Sequence, residues 1–264
     1  LEKEDLALIK PVEIAVVGAG KLSWHLSQKL FAQGHTITQI FSRQFEKAEK
    51  LAKLVGASAT NDLAKINTNT CWVLIAVADD AIEEVSEALN SREALFIHTS
   101  GSAPINLLNK HKRRGVFYPL QSFSLQSKPN WNNIPIFIDA SKNEDIEVMT
   151  AIAQTISNSV VPANDKQREQ LHLAAVFANN FSNHLFVLAQ AILKKNNLPF
   201  SAILPLINET VNKLQFDEPK NLQTGPAIRN DVKTIEKHLE MLDDKPELYK
   251  TYQLLTQSII NQHN

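Results

Sequence analysis

Cysteine is nearly absent from this 264-residue chain. Cys71 stands alone, so no internal disulfide can form, and a reducing compartment is expected. No cluster of ligand-type residues surrounds it, so no metal site is expected. An excess of charge of either sign is also missing: 27 Lys and Arg face 28 Asp and Glu. The charges are dispersed, which argues against a nucleic-acid partner and a membrane surface. The one dense basic stretch, Lys110 to Arg114 around His111, is expected to cap a helix end. No apolar run reaches the roughly 20 residues of a membrane span. The first ten residues are rich in charge and lack the apolar core of a signal peptide, so a soluble cytoplasmic protein is expected. Repeats and low-complexity segments are absent too.

Glycine is scarce, with 7 in the chain, which makes Gly18-Ala19-Gly20 conspicuous. It follows the β-branched run Glu13 to Val17 and precedes a helical pattern opening at Lys21-Leu22. Strand, tight turn and helix start in this order cradle a dinucleotide pyrophosphate: Gly18 permits the turn, Gly20 lets backbone approach the phosphates, and the helix aims its N–H groups at the anion. Ser23 takes the third position, where a small residue packs helix on strand.

Thr36 to Phe41 reads as the next strand. An NAD site carries Asp or Glu at its end, about 20 residues past the glycines. Here Ser42-Arg43 stands instead. A hydroxyl and a guanidinium suit a 2′-phosphate, so NADP (NADPH) is preferred over NAD; the alternative is that Arg43 is a solvated helix-start residue.

Strands and helices continue to alternate in units of about thirty residues, the βαβ signature. Cys71 to Val77 is a continuous apolar run, as in a strand buried on both faces. Asp79 or Asp80 is expected to cap the helix after it. Ligands sit beyond the carboxyl ends of such strands, so Ala76, Val77, Ala78 and Asp79 join the cofactor list, and His98-Thr99-Ser100-Gly101 marks a third strand end. The expected architecture is α/β: a doubly wound, mostly parallel sheet over residues 1–161, then an all-helical domain over 162–264.

In that second half Asn164 is an N-cap with Gln167 at capping-box spacing. The helix it opens is expected to run from Asp165 to about Lys195. On a helical wheel His172, Asn179, Asn183 and Gln190 fall within roughly 40° of one another, with Arg168 near the same stripe. A polar stripe on a buried helix serves either a substrate and nicotinamide or interhelical hydrogen bonds. Pro226 suits the first turn of another helix, capped by Thr224 or Gly225. Asp231 and His238, seven apart, share a face, and Arg229 points elsewhere.

These pieces together resemble the bacterial proteins that join a Rossmann-like domain to the domain of unknown function numbered 2520. The resemblance is carried by Val17-Gly18-Ala19-Gly20 with Leu22, by residues 98–102, by Pro119-Leu120-Gln121-Ser122-Phe123, by residues 172–180, and by residues 224–231 with His238. It covers nearly the whole chain. Two positions depart from the family pattern: Tyr118 stands where His is usual before Pro-Leu-Gln, and Asn230 where Gly is usual between Arg and Asp. More distantly the layout is similar to the β-hydroxyacid and 6-phosphogluconate dehydrogenases and to pyrroline-5-carboxylate reductase. That similarity implies an NADP-carrying N-terminal domain, a helical domain of the 6-phosphogluconate dehydrogenase C-terminal type with substrate contacts, and a homodimer. Where the hydroxyacid dehydrogenases place a catalytic Lys and Asn on the long helix, this chain offers His172 and Asn179, with no lysine on that stripe.

The resulting expectation is an NADP-dependent oxidoreductase moving a hydride to or from a small carbonyl, imine or hydroxy-acid substrate. His172 is the expected acid/base, since imidazole titrates near working pH, and His98 the weaker candidate. Asn179 and Asn180 would hold the substrate's polar atom, and Ser100 with Gly101 would cradle its carboxylate or phosphate. The competing expectation is a non-catalytic dinucleotide-binding dimeric sensor or scaffold; a deazaflavin-linked NADP enzyme is a third class that nothing in the residues demands.

Overall fold

The β-branched run after Val12 forms the centre of the sheet. In the computed structural model, which describes residues 10–91 and 93–263, β1 (Glu13–Val17) pairs in parallel with β2 (Thr36–Phe41) on one side and β4 (Trp72–Ile75) on the other. The reading of the charged first residues falls mostly on 1–9, outside the described residues. With β3 (Ser58–Thr60), β5 (Leu95–His98), β6 (Arg114–Pro119), β7 (Ile136–Ala140) and β8 (Val160–Pro162), the strand order is β3-β2-β1-β4-β5-β6-β7-β8. Pairing is parallel as far as β6; β6 and β7 run antiparallel, and β7 and β8 are parallel to each other.

The two-residue alternation of a strand puts Ile14 and Val16 on one face of the sheet and Ala15 and Val17 on the other, and all four are buried. One face packs against α1 (Lys21–Ala32), α2 (Phe45–Val55) and α4 (Asn143–Gln154), through Leu26, Leu30, Leu51 and Met149; the other meets α3 (Ile82–Ala88) through Ile82. Ser23 is fully buried on α1, so a small side chain is required there. Lys110 reaches the Glu87 carbonyl in the last turn of α3. The strand order reverses between β1 and β4, which places the ligand crevice at their carboxyl ends.

The chain divides into two compact units, 1–176 and 177–264. The first closes with α5 (Asp165–Ala175), opened by a capping box between Asn164 and Gln167. The expected continuous helix from Asp165 to Lys195 is interrupted by a π-helical turn at Val176–Phe181, after which α6 runs over Ser182–Lys195. A π turn breaks the 100° periodicity, so the stripe from His172 through Asn179 to Gln190 is not one line on one helix. Nor is α6 buried: none of its residues is, and Asn179, Asn180, Asn183 and Gln190 are all exposed.

The second unit continues with α7 (Leu204–Lys213), α8 (Val232–Glu240) and α9 (Pro246–His263). The helix expected from Pro226 is absent; residues 226–230 form turns, closed by Asp231 N–H donating to the Pro226 carbonyl. Asn230 sits at φ 51°, in the left-handed region. Asn tolerates that region better than other non-glycine residues, so the usual glycine is replaced without losing the turn. Asp231 then caps α8 through Thr234, and His238 Nδ1 meets the Tyr252 hydroxyl at 2.9 Å. Among the described residues no helix is long and apolar enough to cross a membrane, and no group of three or more His, Cys, Asp or Glu could hold a metal ion.

Candidate functional site

At the β1 exit the chain turns at Gly18, whose φ of 116° favours glycine. A Cβ at Gly18 would fall onto the Ala76 carbonyl at the end of β4. Gly18 N–H donates to the Phe41 carbonyl at 2.9 Å, and Ala76 N–H to the Val17 carbonyl at 2.8 Å. Three strand ends are thus tied at backbone distance. Gly20 is the extended N-cap of α1 and supplies no side-chain cap, and nothing lies within 4 Å of where its Cβ would be. The first N–H groups of α1 therefore have no side-chain acceptor and lie beside an open cleft of about 540 Å³.

That cleft gathers residues 18–22, Ser42, Arg43 and residues 76–79, with Ser100 on its wall. It also takes in Thr99, from the third strand end, and Phe41, Gln44 and Lys47, which the sequence reading missed. Lys47 lies in the first turn of α2, which opens two residues after Arg43, so it stays close to that residue. Ser42 Oγ accepts from Gln44 N–H at 3.2 Å, leaving its own proton free to donate. Of the lining residues only Asp79 is a carboxylate, and it stands at the β4 end. A side-chain-free turn, an uncapped helix N-terminus and two cations beside β2 fit a dinucleotide with an anionic group at each position.

Neither Asp79 nor Asp80 caps α3. Asp79 lies in a single 3-10 turn whose cap, Ala78, makes no side-chain bond; its carboxylate instead accepts from the Ser102 hydroxyl. The residues after β5 also turn their polar groups inward. Ser100 N–H donates to His98 Nδ1 at 3.2 Å, and Ser100 Oγ accepts from Ser102 N–H at 3.1 Å and Ala103 N–H at 2.9 Å. The Ser100 N–H is thereby engaged within the loop, and its hydroxyl donates to Ser102 Oγ at 3.4 Å, whose own proton goes to Asp79. His98 is fully buried, and burial first, then the Arg168 charge, lowers its pKa to about 4. It is a neutral acceptor that holds this loop.

The pair that forms beyond it was not foreseen. At the end of β6 the Tyr118 hydroxyl lies 3.2 Å from His172 Nδ1 on α5, with the rings edge to face. The phenol packs over Gly101, where a Cβ would stand 2.7 Å from its oxygen. Burial, and then the Asp79 charge, push the Tyr118 pKa up. One turn before His172, Arg168 is wholly buried rather than part of a solvent- or ligand-facing stripe. Its guanidinium donates to Asp139 (3.3 Å), Asp165 (2.7 Å) and the carbonyls of Ala103 (2.9 Å) and Ala163 (3.3 Å). This clamps α5 to β7 and to the loop after β5, and so fixes where His172 stands. Asn179 and Asn180 lie on the π-helical turn, in the second unit.

A mostly parallel sheet in this order, with a glycine-turned cleft at its switch point and a helical region after it, defines a Rossmann-like dinucleotide-binding protein. Residues 13–101 match the family described as "NADP oxidoreductase coenzyme F420-dependent", and residues 134–259 the "Domain of unknown function (DUF2520)". The chain is similar to the solved structure of "putative NADP oxidoreductase BF3122" from Bacteroides fragilis, with 44% identity, 96% of this chain and 99% of that one covered, and a TM-score of 0.91. The chain belongs to this NADP oxidoreductase family, in which a Rossmann-like domain is joined to DUF2520. Likeness in fold extends to protein TM1727 of Thermotoga maritima (22% identity, 95% and 98% covered, TM-score 0.73). It extends also to an imine reductase of Myxococcus stipitatus in complex with NADP+ (14% identity, 95% and 99% covered, TM-score 0.64). A glycerol-3-phosphate dehydrogenase [NAD(P)+] of Lysinibacillus sphaericus is 29% identical over 104 residues, which span 33% of this chain and 30% of that enzyme.

Proposed function

We propose that the protein is an NADP(H)-dependent oxidoreductase that moves a hydride to or from a small carbonyl, imine or hydroxy-acid substrate. The observation that carries this reading is the Gly18 turn, where two strand ends and the uncapped start of α1 leave room for a pyrophosphate against bare backbone. When bound, the nicotinamide supplies or accepts the hydride. Arg43 and Lys47 hold the 2′-phosphate, with Ser42 donating to it, which favours NADP over NAD. Residues 76–79 border the nicotinamide ribose. The Tyr118–His172 pair holds the proton exchanged with the substrate, and Ser100, on the cleft wall, is assigned to the substrate's polar group. Asn179 and Asn180 are assigned to the substrate because a π-helical turn, a frequent mark of functional sites, carries them.

In this reading residues 1–161 bind the cofactor, and 162–264 serve substrate contact and homodimerisation in the cytoplasm. Support for the dimer comes from the exposed apolar side chains of the second unit, Phe177, Leu206, Phe216 and Leu254 among them. NADPH titration followed by nicotinamide fluorescence, then a screen of keto acids, hydroxy acids and cyclic imines for changes in nicotinamide absorbance, tests the function. Binding with turnover supports it; failure to bind either NADPH or NADH contradicts it. Binding without turnover would select a dinucleotide-binding sensor instead, a role compatible with the absence of lysine from the His172 side of α5.

A further inference from the structure

The oxidoreductase reading leaves undecided which member of the Tyr118–His172 pair meets the substrate. Tyr118 stands at the carboxyl end of β6, on the crevice side of the sheet. Its phenol is laid over Gly101, next to Ser100 on the cleft wall, and it feels the charge of Asp79, which lines the same cleft. Neither Tyr118 nor His172 is itself among the residues lining that cleft; Tyr118 touches Gly101 beside its wall, whereas the side-chain hydrogen bond of His172 among the described residues is the one to Tyr118.

We propose that Tyr118 is the catalytic residue that exchanges a proton with the reacting oxygen or nitrogen of the substrate, while His172 is a positioning residue that passes the proton to and from the phenol. The inference rests on the oxidoreductase function proposed above. In the reducing direction a hydride from the reduced nicotinamide bonds to the substrate carbon, and the C=O or C=N π pair moves onto the heteroatom. That heteroatom takes the Tyr118 hydroxyl proton as its O–H bond breaks. The phenolate oxygen then takes the Nδ1 proton of a protonated His172, and solvent restores that proton, so one hydride and one proton are consumed for each product.

The surroundings suit this division. Burial and Asp79 keep the phenol protonated across the working range, so it bears a proton to give. A lone phenol donates slowly because the phenolate it leaves is unstable there. An imidazole at 3.2 Å removes that obstacle by reprotonating it. The titratable groups that face Tyr118 are Asp79, from the turn after β4, and His172, from α5; His98 on β5 stays neutral above about pH 4.

The test uses the full chain with NADPH and three probes, pyruvate, cyclohexanone and 1-pyrroline, following kcat, KM and the pH profile, with the NADPH Kd as the control for folding. Tyr118→Phe is expected to lower kcat by about 100-fold or more while leaving the NADPH Kd within about twofold. Tyr118→His, which restores a proton donor, is expected to recover all but about tenfold and to move the pH profile. His172→Gln is expected to lower kcat by only about tenfold and to alter the pH profile. A Tyr118→Phe variant that keeps its rate, or a His172→Gln variant more damaged than Tyr118→Phe, overturns the assignment but not the oxidoreductase function. Absence of turnover by the unaltered chain on all three probes overturns both.

Discussion

Tyr118 and His172 lie 54 positions apart in sequence, at the end of β6 and on α5, yet their side chains meet at 3.2 Å. Three features make the meeting specific. Gly101 leaves the space that the phenol fills. Arg168 pins α5 one turn before His172 through two carboxylates and two carbonyls. Phe137, its register partner on the neighbouring strand, packs tilted against the Tyr118 ring at 6.3 Å.

The space at Gly101 gives a way to disturb the pair without altering either member. Gly101→Ala places a methyl against the phenol oxygen and ring, and the ring must swing away. A displacement of about 1 Å at a reacting group lowers rates on the order of 100-fold. Steady-state kinetics should therefore show kcat down by about 10- to 100-fold, with the NADPH Kd changed less than about threefold.

At Gly18 the same substitution acts on the cofactor side. Alanine there meets the Ala76 carbonyl, a backbone atom that cannot rotate away, in a backbone conformation unfavourable to L-residues. The strain and the displaced strand end should destabilise the fold by about 2 kcal/mol or more. Urea denaturation measures that loss, and NADPH titration of the folded fraction should show affinity reduced by more than about 100-fold.

Removing the Arg168 side chain leaves Asp139 and Asp165 facing each other across the space it filled. Arg168→Met keeps most of the volume and none of the charge. Breaking a buried ion pair in this way typically destabilises by about 3–5 kcal/mol, and denaturant midpoints should fall accordingly. Lowering the pH should recover part of the loss. Burial already pushes the Asp139 pKa up, and without the guanidinium its protonation becomes easier still.

Stability of the native chain should run the opposite way with pH. His98 is buried neutral, with its pKa lowered from 6.5 to about 4, so the unfolded chain binds its proton first. The stabilisation is complete above pH 6.5 and declines as the pH falls towards about 4, by at most about 3 kcal/mol from this residue. Burial lowers His35 and His111 as well, in the same direction. His98→Asn keeps an acceptor for the Ser100 N–H but does not titrate, so its denaturation midpoints should vary less over that interval. An unchanged pH slope would show that His98 is not the source.

The parallel sheet was readable because buried strands announce themselves as unbroken apolar runs. Cys71 to Val77 and Ala94 to His98 each yielded a strand, and the glycines after β1 located the cleft. All eleven residues assigned to the cofactor line one cleft because they follow neighbouring strand ends, and topology gathers such ends automatically. What escaped the sequence depends on three-dimensional proximity or on local backbone departures. Arg168 looked like part of a polar stripe, and only the fold surrounds it with two carboxylates and two carbonyls. The π turn at Val176–Phe181 has no composition of its own and breaks the periodicity on which the stripe rested. Ser100 looked like a free donor, but a short polar loop had the option of bonding to itself and took it. Tyr118 was noticed as a departure from the family pattern, yet its partner could not be guessed from spacing.

Selectivity between the two nicotinamide cofactors turns on Arg43 and Lys47. Arg43→Ala with Lys47→Ala should weaken NADPH by about tenfold or more and leave NADH nearly unchanged, since only the former carries the 2′-phosphate those cations are assigned to meet. Equal losses for both cofactors would move the cations to the pyrophosphate.

The central claim is that the cleft lined by Gly18 and Ala76 holds NADP(H) for hydride transfer. Fluorescence titration of the full chain with NADPH and with NADH tests it most directly. Saturable NADPH binding, at least about tenfold tighter than NADH and abolished by Gly18→Ala, is the predicted result. No saturable binding of either dinucleotide would contradict it.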